Sequence, residues 1–74
     1  MKGVYSMTLN KLLSLNIIDK DYELIVRCDT SNFINLLYRG NITEDALSLW
    51  GYSNITDFAW YNINGDKEVT ITIE

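Results

Sequence analysis

The chain has 74 residues, with ten acidic and six basic side chains, one cysteine and no histidine, and its formal net charge is −4. This length predicts one domain spanning 1–74. The acidic balance argues against direct binding to nucleic acid, which requires clustered Lys and Arg. No apolar run approaches the roughly 20 residues of a membrane span. The N-terminus also lacks the basic segment and following apolar run of a secretory signal. We therefore expect a cytoplasmic protein that does not enter a membrane.

The first predicted element is a short helix. Residues 1–6 precede Met7, which reads as a natural start, so we expect this segment to be frayed or an alternative N-terminal extension. Thr8 is a favourable N-cap, and apolar residues then recur with helical spacing. They are Leu9, Leu12, Leu13 and Ile17. The pattern predicts a helix over 9–16.

The next segment predicts a β-hairpin. Residues 22–29 alternate in polarity, as expected for a strand with one buried face. The residues on that face are Tyr22, Leu24, Val26 and Cys28. A three-residue loop at 30–32 and a returning strand at 33–39 complete the predicted hairpin.

One register of this hairpin satisfies both of its faces. It pairs Asp29 with Phe33 and brings a favourable charge pair, Glu23 and Arg39, opposite each other. The other predicted partners are Cys28 with Ile34, Val26 with Leu36, Ile25 with Leu37 and Leu24 with Tyr38.

The second half of the chain repeats the order helix, strand, strand. Thr43 is predicted to cap a helix whose first turn is acidic and which ends at Gly51. Asn64-Gly65 between two alternating runs predicts a tight hairpin, with strands near 56–63 and 67–73. The predicted partners are Trp60 with Val69, Phe58 with Ile71, Tyr61 with Glu68, Ala59 with Thr70 and Asp57 with Thr72.

The element order α-β-β-α-β-β predicts the α+β class. The simplest arrangement is a four-stranded antiparallel sheet with two short helices on one face. Three aromatic side chains match the buried registers and are predicted to lie in the core: Trp50, Phe58 and Trp60. The stability that so small a core provides is marginal. Since one cysteine allows no internal disulfide, we expect good packing or a homo-oligomer to supply the missing stability.

The residues of common catalytic sites are missing from this sequence. Without histidine there is no Ser-His or Cys-His pair, and the most frequent metal ligand is absent. Cys28 falls on the predicted core face, where a thiol is inert. The four glycines are isolated, so no phosphate-binding loop is predicted. We expect no enzyme activity, no metal site and no cofactor, and therefore a function in binding.

The sheet face away from the helices, called the open face below, is the candidate binding surface. It is predicted to carry Glu23, Ile25, Arg27, Leu37, Arg39, Ala59, Tyr61 and Ile63. Tyr and Arg are enriched at protein interfaces, and Ile25 and Leu37 are predicted to form an apolar cross-strand pair. The candidate binding residues are Ile25, Arg27, Leu37, Arg39 and Tyr61. An alternative interpretation is that the Arg and Tyr stems only shield a few apolar atoms.

Three runs of the sequence are similar to short, uncharacterised phage and prophage proteins of AT-rich Gram-positive bacteria. The runs are T-L-N-K-L-L at 8–13, L-Y-R-G at 37–40 and V-T-I-T-I at 69–73. The resemblance covers most of 7–74 and carries over no catalytic residue. It implies a mobile-element setting, in which small proteins often inhibit host defence, the anti-CRISPR proteins among them.

The resemblance and the open face together favour one function. It is that of a non-enzymatic protein that inhibits a host protein in the host cytoplasm by occupying its surface, as an anti-CRISPR or other anti-defence factor does. One alternative is an oligomeric sponge for a signalling nucleotide, with Arg27 and Arg39 binding phosphates and Tyr61 stacking on a base. Another is a structural or accessory phage protein.

Overall fold

Two helices and four strands, in the predicted order, lie within residues 7–29 and 34–73, which a computed structural model describes. They are α1 (Leu9–Ser14), β1 (Glu23–Asp29), β2 (Ile34–Asn41), α2 (Glu44–Trp50), β3 (Ile55–Ile63) and β4 (Asp66–Ile73). The α+β class is therefore confirmed. The predictions for residues 1–6, for the loop at 30–32 and for Phe33 lie outside the described residues.

Threonine caps begin both helices, as predicted. The hydroxyl oxygen of Thr8 accepts a hydrogen bond from the backbone N–H of Lys11 over 3.2 Å. The hydroxyl oxygen of Thr43 accepts one from the backbone N–H of Ala46 over 3.1 Å. Each cap satisfies a first-turn N–H group that has no partner within the helix, and so stabilises a helix of only two turns.

The first helix ends at Ser14, two residues before its predicted end. Asn16 takes a left-handed φ of 60°, a conformation that Asn tolerates better than most residues. The N–H of Ile17 then donates to the carbonyl oxygen of Leu12 over 3.3 Å. A left-handed residue followed by this bond is a common helix stop, and here it turns the chain towards β1.

The sheet is mixed rather than fully antiparallel. Its strand order is β2-β1-β4-β3, so the two hairpins lie side by side and β1 pairs with β4. Both hairpins are antiparallel, whereas the central pair of β1 and β4 is parallel. The prediction of an antiparallel sheet is therefore wrong at this junction. The repeated helix-strand-strand order is not a repeat in space, because the first strand of one unit pairs with the last strand of the other.

The position of α2 accounts for the parallel pair. This helix joins the two outer strands, β2 and β3. The chain returns through it to the same end of the sheet, so the outer strands run in the same direction. Each central strand is antiparallel to its own hairpin partner. The two central strands therefore also share a direction, and as neighbours they pair in parallel.

One hydrophobic core lies between the sheet and both helices. Leu9 and Leu12 of α1 and Ala46 of α2 pack into the same cluster as alternate residues of the central strands. The fully buried members from the strands are Leu24, Val26, Val69 and Ile71. Because alternate residues of a strand share one face, both helices lie on the same side of the sheet, as predicted. Burial contributes about 1.5–3 kcal/mol for each such aliphatic side chain.

The three aromatic residues predicted for the core are buried to different degrees. Phe58 and Trp50 are half-buried and pack against the core, and the ring centroid of Trp50 lies 5.1 Å from that of Tyr38. Trp60 is 46% exposed, so its prediction as a core residue is wrong. It lies on β3, an outer strand with a neighbouring strand on one side only. Its ring stacks on Phe58 instead, with 5.4 Å between the centroids.

A β-bulge changes the register of the first hairpin. Val26 pairs with Tyr38 and Arg27 with Leu36, so Leu37 is an additional residue in β2. A bulge sets two residues of one strand opposite one residue of the other, and the predicted register is therefore wrong. The other partners are Glu23 with Asn41, Leu24 with Gly40, Ile25 with Arg39, Cys28 with Asn35 and Asp29 with Ile34.

The register of the second hairpin is confirmed. The partners are Trp60 with Val69, Phe58 with Ile71, Tyr61 with Glu68, Ala59 with Thr70 and Asp57 with Thr72. Asn64 and Gly65 form the turn with φ values of 53° and 87°. Two left-handed residues in a two-residue turn match the twist of the flanking strands, and this local requirement fixes the pairing.

Substitution of Leu24 is expected to destabilise the fold more than substitution of Trp60. Leu24 is fully buried, so Leu24→Ala should lower the free energy of unfolding by about 2–5 kcal/mol. Trp60→Ala removes a half-exposed ring and should lower it by less than about 2 kcal/mol. Urea unfolding followed by circular dichroism measures both. Equal losses would contradict the exposed position of Trp60.

A methyl group at Gly51 is also expected to destabilise the fold. Gly51 has an ordinary φ of −62°, so strain in its own backbone is not the reason. An added Cβ would lie 2.7 Å from Nδ2 of Asn10 and against the carbonyl oxygen of Leu47. Gly51→Ala should therefore lower the free energy of unfolding by about 1–3 kcal/mol, as overpacking does.

The matched control for Gly51 is Gly40→Ala. There the nearest atoms, at 3.0 Å or more, belong to the end of the Tyr38 side chain, which can move. Its loss of stability should be the smaller of the two when both variants are unfolded in urea. A Gly51→Ala variant as stable as the unmodified chain would show that α1 and α2 are not in close contact at this point.

Candidate functional site

Three rows of residues cross the open face, at right angles to the strands. Each row takes one residue from β2, β1, β4 and β3 in that order. The rows are Asn41–Glu23–Glu68–Tyr61, Arg39–Ile25–Thr70–Ala59 and Leu36–Arg27–Thr72–Asp57. Both helices lie on the opposite side of the sheet, so the exposure of each residue here depends on its neighbours within the sheet.

Arg39 bridges two carboxylates on the open face. Glu23 and Glu68 are direct neighbours on β1 and β4, where like charges repel. Nε of Arg39 lies 3.4 Å from Oε2 of Glu23, and its Nη2 lies 3.6 Å from Oε2 of Glu68. The Arg39 and Glu23 side chains are exposed and that of Glu68 is partly buried, and ion pairs near the surface contribute at most about 1 kcal/mol each. The guanidinium nevertheless offsets the repulsion, and it is not free to bind an anion.

The predicted contact between Glu23 and Arg39 therefore forms, although the two residues are not opposite each other. Arg39 lies opposite Ile25 and reaches Glu23 diagonally. The long, flexible Arg side chain tolerates this shift of two residues. The contact is consequently a poor test of the register.

Ile25 lies on the open face but is only 9% exposed. Its expected exposure beside Leu37 is wrong, because its partners are Arg39 on one side and Thr70 on the other. A central strand has neighbours on both sides, and these cover it even where no helix does. The unbroken apolar run Leu24, Ile25 and Val26 is the sequence signal for such a strand.

Arg27 is half-buried beside Thr72. Its Nη2 donates to the hydroxyl oxygen of Thr72 over 3.2 Å. Its Nε is buried without a hydrogen-bond partner among the residues that the structure describes. The hydroxyl of Thr56 on β3 donates to the carbonyl oxygen of Thr72 on β4 over 3.2 Å, which links these two strands beside Arg27. Arg27 is thus part of the packing of the open face as well as a candidate for binding.

Exposed apolar side chains lie at the two outer strands. Leu36 and Leu37 are 60% and 43% exposed at the bulge in β2. Tyr61 and Ile63 are 43% and 60% exposed on β3. Leu36 was predicted to face the core and is absent from the predicted site. The bulge that exposes it leaves no signal in the sequence, whereas the exposure of Ile63 follows from its place beside the hairpin turn.

Tyr61 lies beside Glu68 at the β3 end of the ion-paired row. The pKa of its phenol is raised above the ordinary value, chiefly by partial removal from water and then by the negative charges of Glu68 and Asp66. The position of Glu68 as an acceptor for the phenol proton, and then the charge of Glu23, raise the pKa further by smaller amounts. The phenol therefore keeps its proton to a higher pH than an isolated tyrosine does, because it lies beside an acidic cluster.

Cys28 lies on the helix side of β1, next to Ile73 of β4. It is half-buried and free rather than fully enclosed as predicted. Within 7–29 and 34–73, no three His, Cys, Asp or Glu side chains are grouped as metal ligands, and no pocket is found. The described helices are too short and too polar for any of them to cross a membrane.

The structure brings Arg39 and Tyr61 together around the Glu23–Glu68 pair and leaves Leu37 exposed at the bulge of β2. Comparison with models of protein families, with curated proteins and with solved structures finds no match to this chain. The resemblance to phage and prophage proteins, and the part of the five candidate residues in binding, therefore remain predictions.

Replacing Tyr61 by Phe should make the fold less sensitive to alkaline pH. Because the pKa of Tyr61 is raised, the folded chain keeps the phenol proton at pH values where the unfolded chain has lost it. This stability is complete below the unfolded pKa of about 10 and is lost as the pH rises through the folded pKa. Tyr61→Phe should therefore lose less free energy of unfolding than the unmodified chain between about pH 9 and pH 12.

Tyr52→Phe is the control for this measurement. Tyr52 is 81% exposed and lies in the turn after α2, away from the open face. Its alkaline unfolding profile should match that of the unmodified chain. If both tyrosine variants gave the same profile, the carboxylates near Tyr61 would not control its protonation.

Proposed function

We propose that this chain is a non-enzymatic binding protein of phage or prophage origin that inhibits a host protein by occupying its surface. The observation that carries the proposal is the open face, where exposed apolar side chains lie on both sides of the ion pairs of Arg39. They are Leu36 and Leu37 on one side and Tyr61 and Ile63 on the other. Exposed apolar groups with a Tyr among them are typical of surfaces that bind protein.

The dimensions of the open face suit a protein partner. Strands of seven to nine residues are about 23–30 Å long, and four strands side by side span about 19 Å. Such a face supplies several hundred Å², which is of the same order as the ~800 Å² per partner in a standard interface. The face is broad and shallow, and this shape suits contact with the surface of another protein.

The charge of the chain indicates the chemistry of its partner. The net charge is −4, and on the open face the two carboxylates of Glu23 and Glu68 lie against the one guanidinium of Arg39. A partner with a basic surface is therefore favoured, because complementary charge speeds encounter and selects the partner. Association should slow as the salt concentration rises. A basic surface on a defence protein that handles nucleic acid is the kind of target that this chemistry fits.

The ion pairs of Arg39 weigh against the nucleotide-sponge alternative. A phosphate would have to displace the carboxylates of Glu23 and Glu68, which lie 3.4 and 3.6 Å from the guanidinium. It would also have to approach two negative charges. Binding of a host protein through the apolar flanks needs neither change, and this difference favours the inhibitor.

The proposal is tested by inhibition and by binding together. Expression of the chain in a host with an active CRISPR defence should restore plating of a targeted phage, and a tagged copy should retain the inhibited protein from host lysate. Leu37→Glu combined with Tyr61→Ala should abolish both effects and weaken affinity for the retained protein by more than about tenfold, as loss of interface anchors does.

The matched control makes the same two substitutions away from the open face. Leu49→Glu with Tyr52→Ala changes residues that are 66% and 81% exposed on the helix side, and it should keep full inhibition. Circular dichroism must show both double variants folded. Inhibition that survives the open-face variant, or a co-purifying nucleotide in place of a protein, would contradict the proposal.

A further inference from the structure

The two outer strands of the sheet differ in how their free edges are protected. Natural edge strands avoid pairing with other chains through bulges, charged residues, proline or short length. The edge of β2 has a bulge at Leu37 and the charged Arg39. The nine residues of β3 contain one charged residue, Asp57, and neither proline nor lysine.

Most of the β3 edge is regular and unoccupied within the described residues. The only irregularity of β3 lies at its start, between Ile55 and Asp57. There the N–H of Ile55 already donates to the carbonyl oxygen of Met7 over 2.7 Å. From Asp57 to Ile63 the strand pairs with β4 without interruption on its inner side. Seven consecutive residues therefore present one uninterrupted outer edge.

Backbone groups along this edge point away from β4. The two-residue turn at 64–65 makes Ile63 and Asp66 a hydrogen-bonded pair, and hydrogen-bonded pairs alternate along an antiparallel ladder. The N–H and C=O groups of Phe58, Trp60 and Asn62 therefore lie on the outer side. Exposed side chains flank them on both faces of the sheet, with Trp60 on the helix side and Tyr61 on the open face.

We propose that a second copy of this chain pairs antiparallel with the β3 edge, giving a two-fold symmetric dimer with one continuous eight-stranded sheet. An edge strand that pairs antiparallel with its own copy is complementary to itself. Overlap is greatest when the two-fold axis passes Trp60, because all seven regular residues then find partners. In that register Trp60 lies opposite Trp60 of the partner subunit, and Phe58 lies opposite the partner's Asn62.

Charge and size favour a second copy as the occupant. Each chain carries a net charge of −4, yet Asp57 would lie opposite the partner's Ile63, so no like charges meet along the edge. A chain of 74 residues buries a modest share of its surface, and a shared sheet would cover the half-exposed ring of Trp60. Tyr61 would lie opposite the partner's Ala59 on the open face, which would bring both copies of Tyr61 to the two-fold axis.

Sedimentation equilibrium of the full chain tests this pairing. The unmodified chain should reach twice the 8.6 kDa mass of one copy. Trp60→Lys sets two like charges opposite each other and should raise the dimer dissociation constant more than about tenfold. Leu49→Lys places the same charge on a residue of α2 that is 66% exposed, and it should leave the dimer intact.

A cross-link tests the register without changing charge. Trp60→Cys in a Cys28→Ser background should form a disulfide-linked dimer under mild oxidation. Residues of a hydrogen-bonded pair have Cα atoms about 5.5 Å apart, within the range that a disulfide spans. Leu49→Cys in the same background should stay unlinked. The cross-link does not require that Trp60→Lys folds.

Three results would overturn the proposal. One is a monomer at every concentration tested. Another is a dimer that neither Trp60→Lys weakens nor Trp60→Cys cross-links, which would place the contact elsewhere, for example on the open face. The third is a full chain that is monomeric while a variant without residues 1–6 dimerises, which would show that the N-terminal segment itself covers the β3 edge.

Discussion

The parallel pairing of β1 with β4 is the constraint on which the rest of this structure depends. It joins two hairpins that would each be unstable alone, and it places Leu24 and Val26 beside Val69 and Ile71 at the centre of the core. Both helices pack against these four residues. The outer strands then necessarily lie at the two free edges of the sheet.

The same pairing explains the character of the open face. Central residues such as Ile25 and Thr72 are buried by neighbouring strands although both helices are on the other side. The Glu23 and Glu68 carboxylates become direct neighbours, and this is the local charge that Arg39 offsets. What remains available to a partner is therefore concentrated at the outer strands, at the bulge of β2 and at the residues of β3 beside its turn.

The open face and the β3 edge are linked through Tyr61. This residue lies in the ion-paired row and also on β3, whose outer edge is unoccupied from Asp57 to Ile63 among the described residues. Pairing of two copies through β3 would join two open faces into one surface, with an acidic cluster on each side of the symmetry axis. An inhibitor of this form would engage a basic partner through two equivalent surfaces, which strengthens binding when both can be reached at once.

The sequence by itself determined the features that depend on a few neighbouring residues. Thr8 and Thr43 cap helices because a side chain and a backbone N–H three residues on are enough, and Asn64-Gly65 sets the register of the second hairpin because its turn has one favourable geometry. Within the candidate site, the geometry of this turn was sufficient to place Tyr61 beside Glu68. It did not predict the neighbours of Ile25, which lies in the other hairpin.

Only the tertiary structure decided which strands are central and which are outer. The burial of Ile25 and the exposure of Trp60 both follow from that choice. The apolar run Leu24, Ile25 and Val26 favours a central position for β1. In β4, Val and Ile alternate with Thr, so nothing within the second hairpin selects the edge that joins the first. The selection is made by the shared core and by the return of the chain through α2, and both involve residues far apart in the sequence.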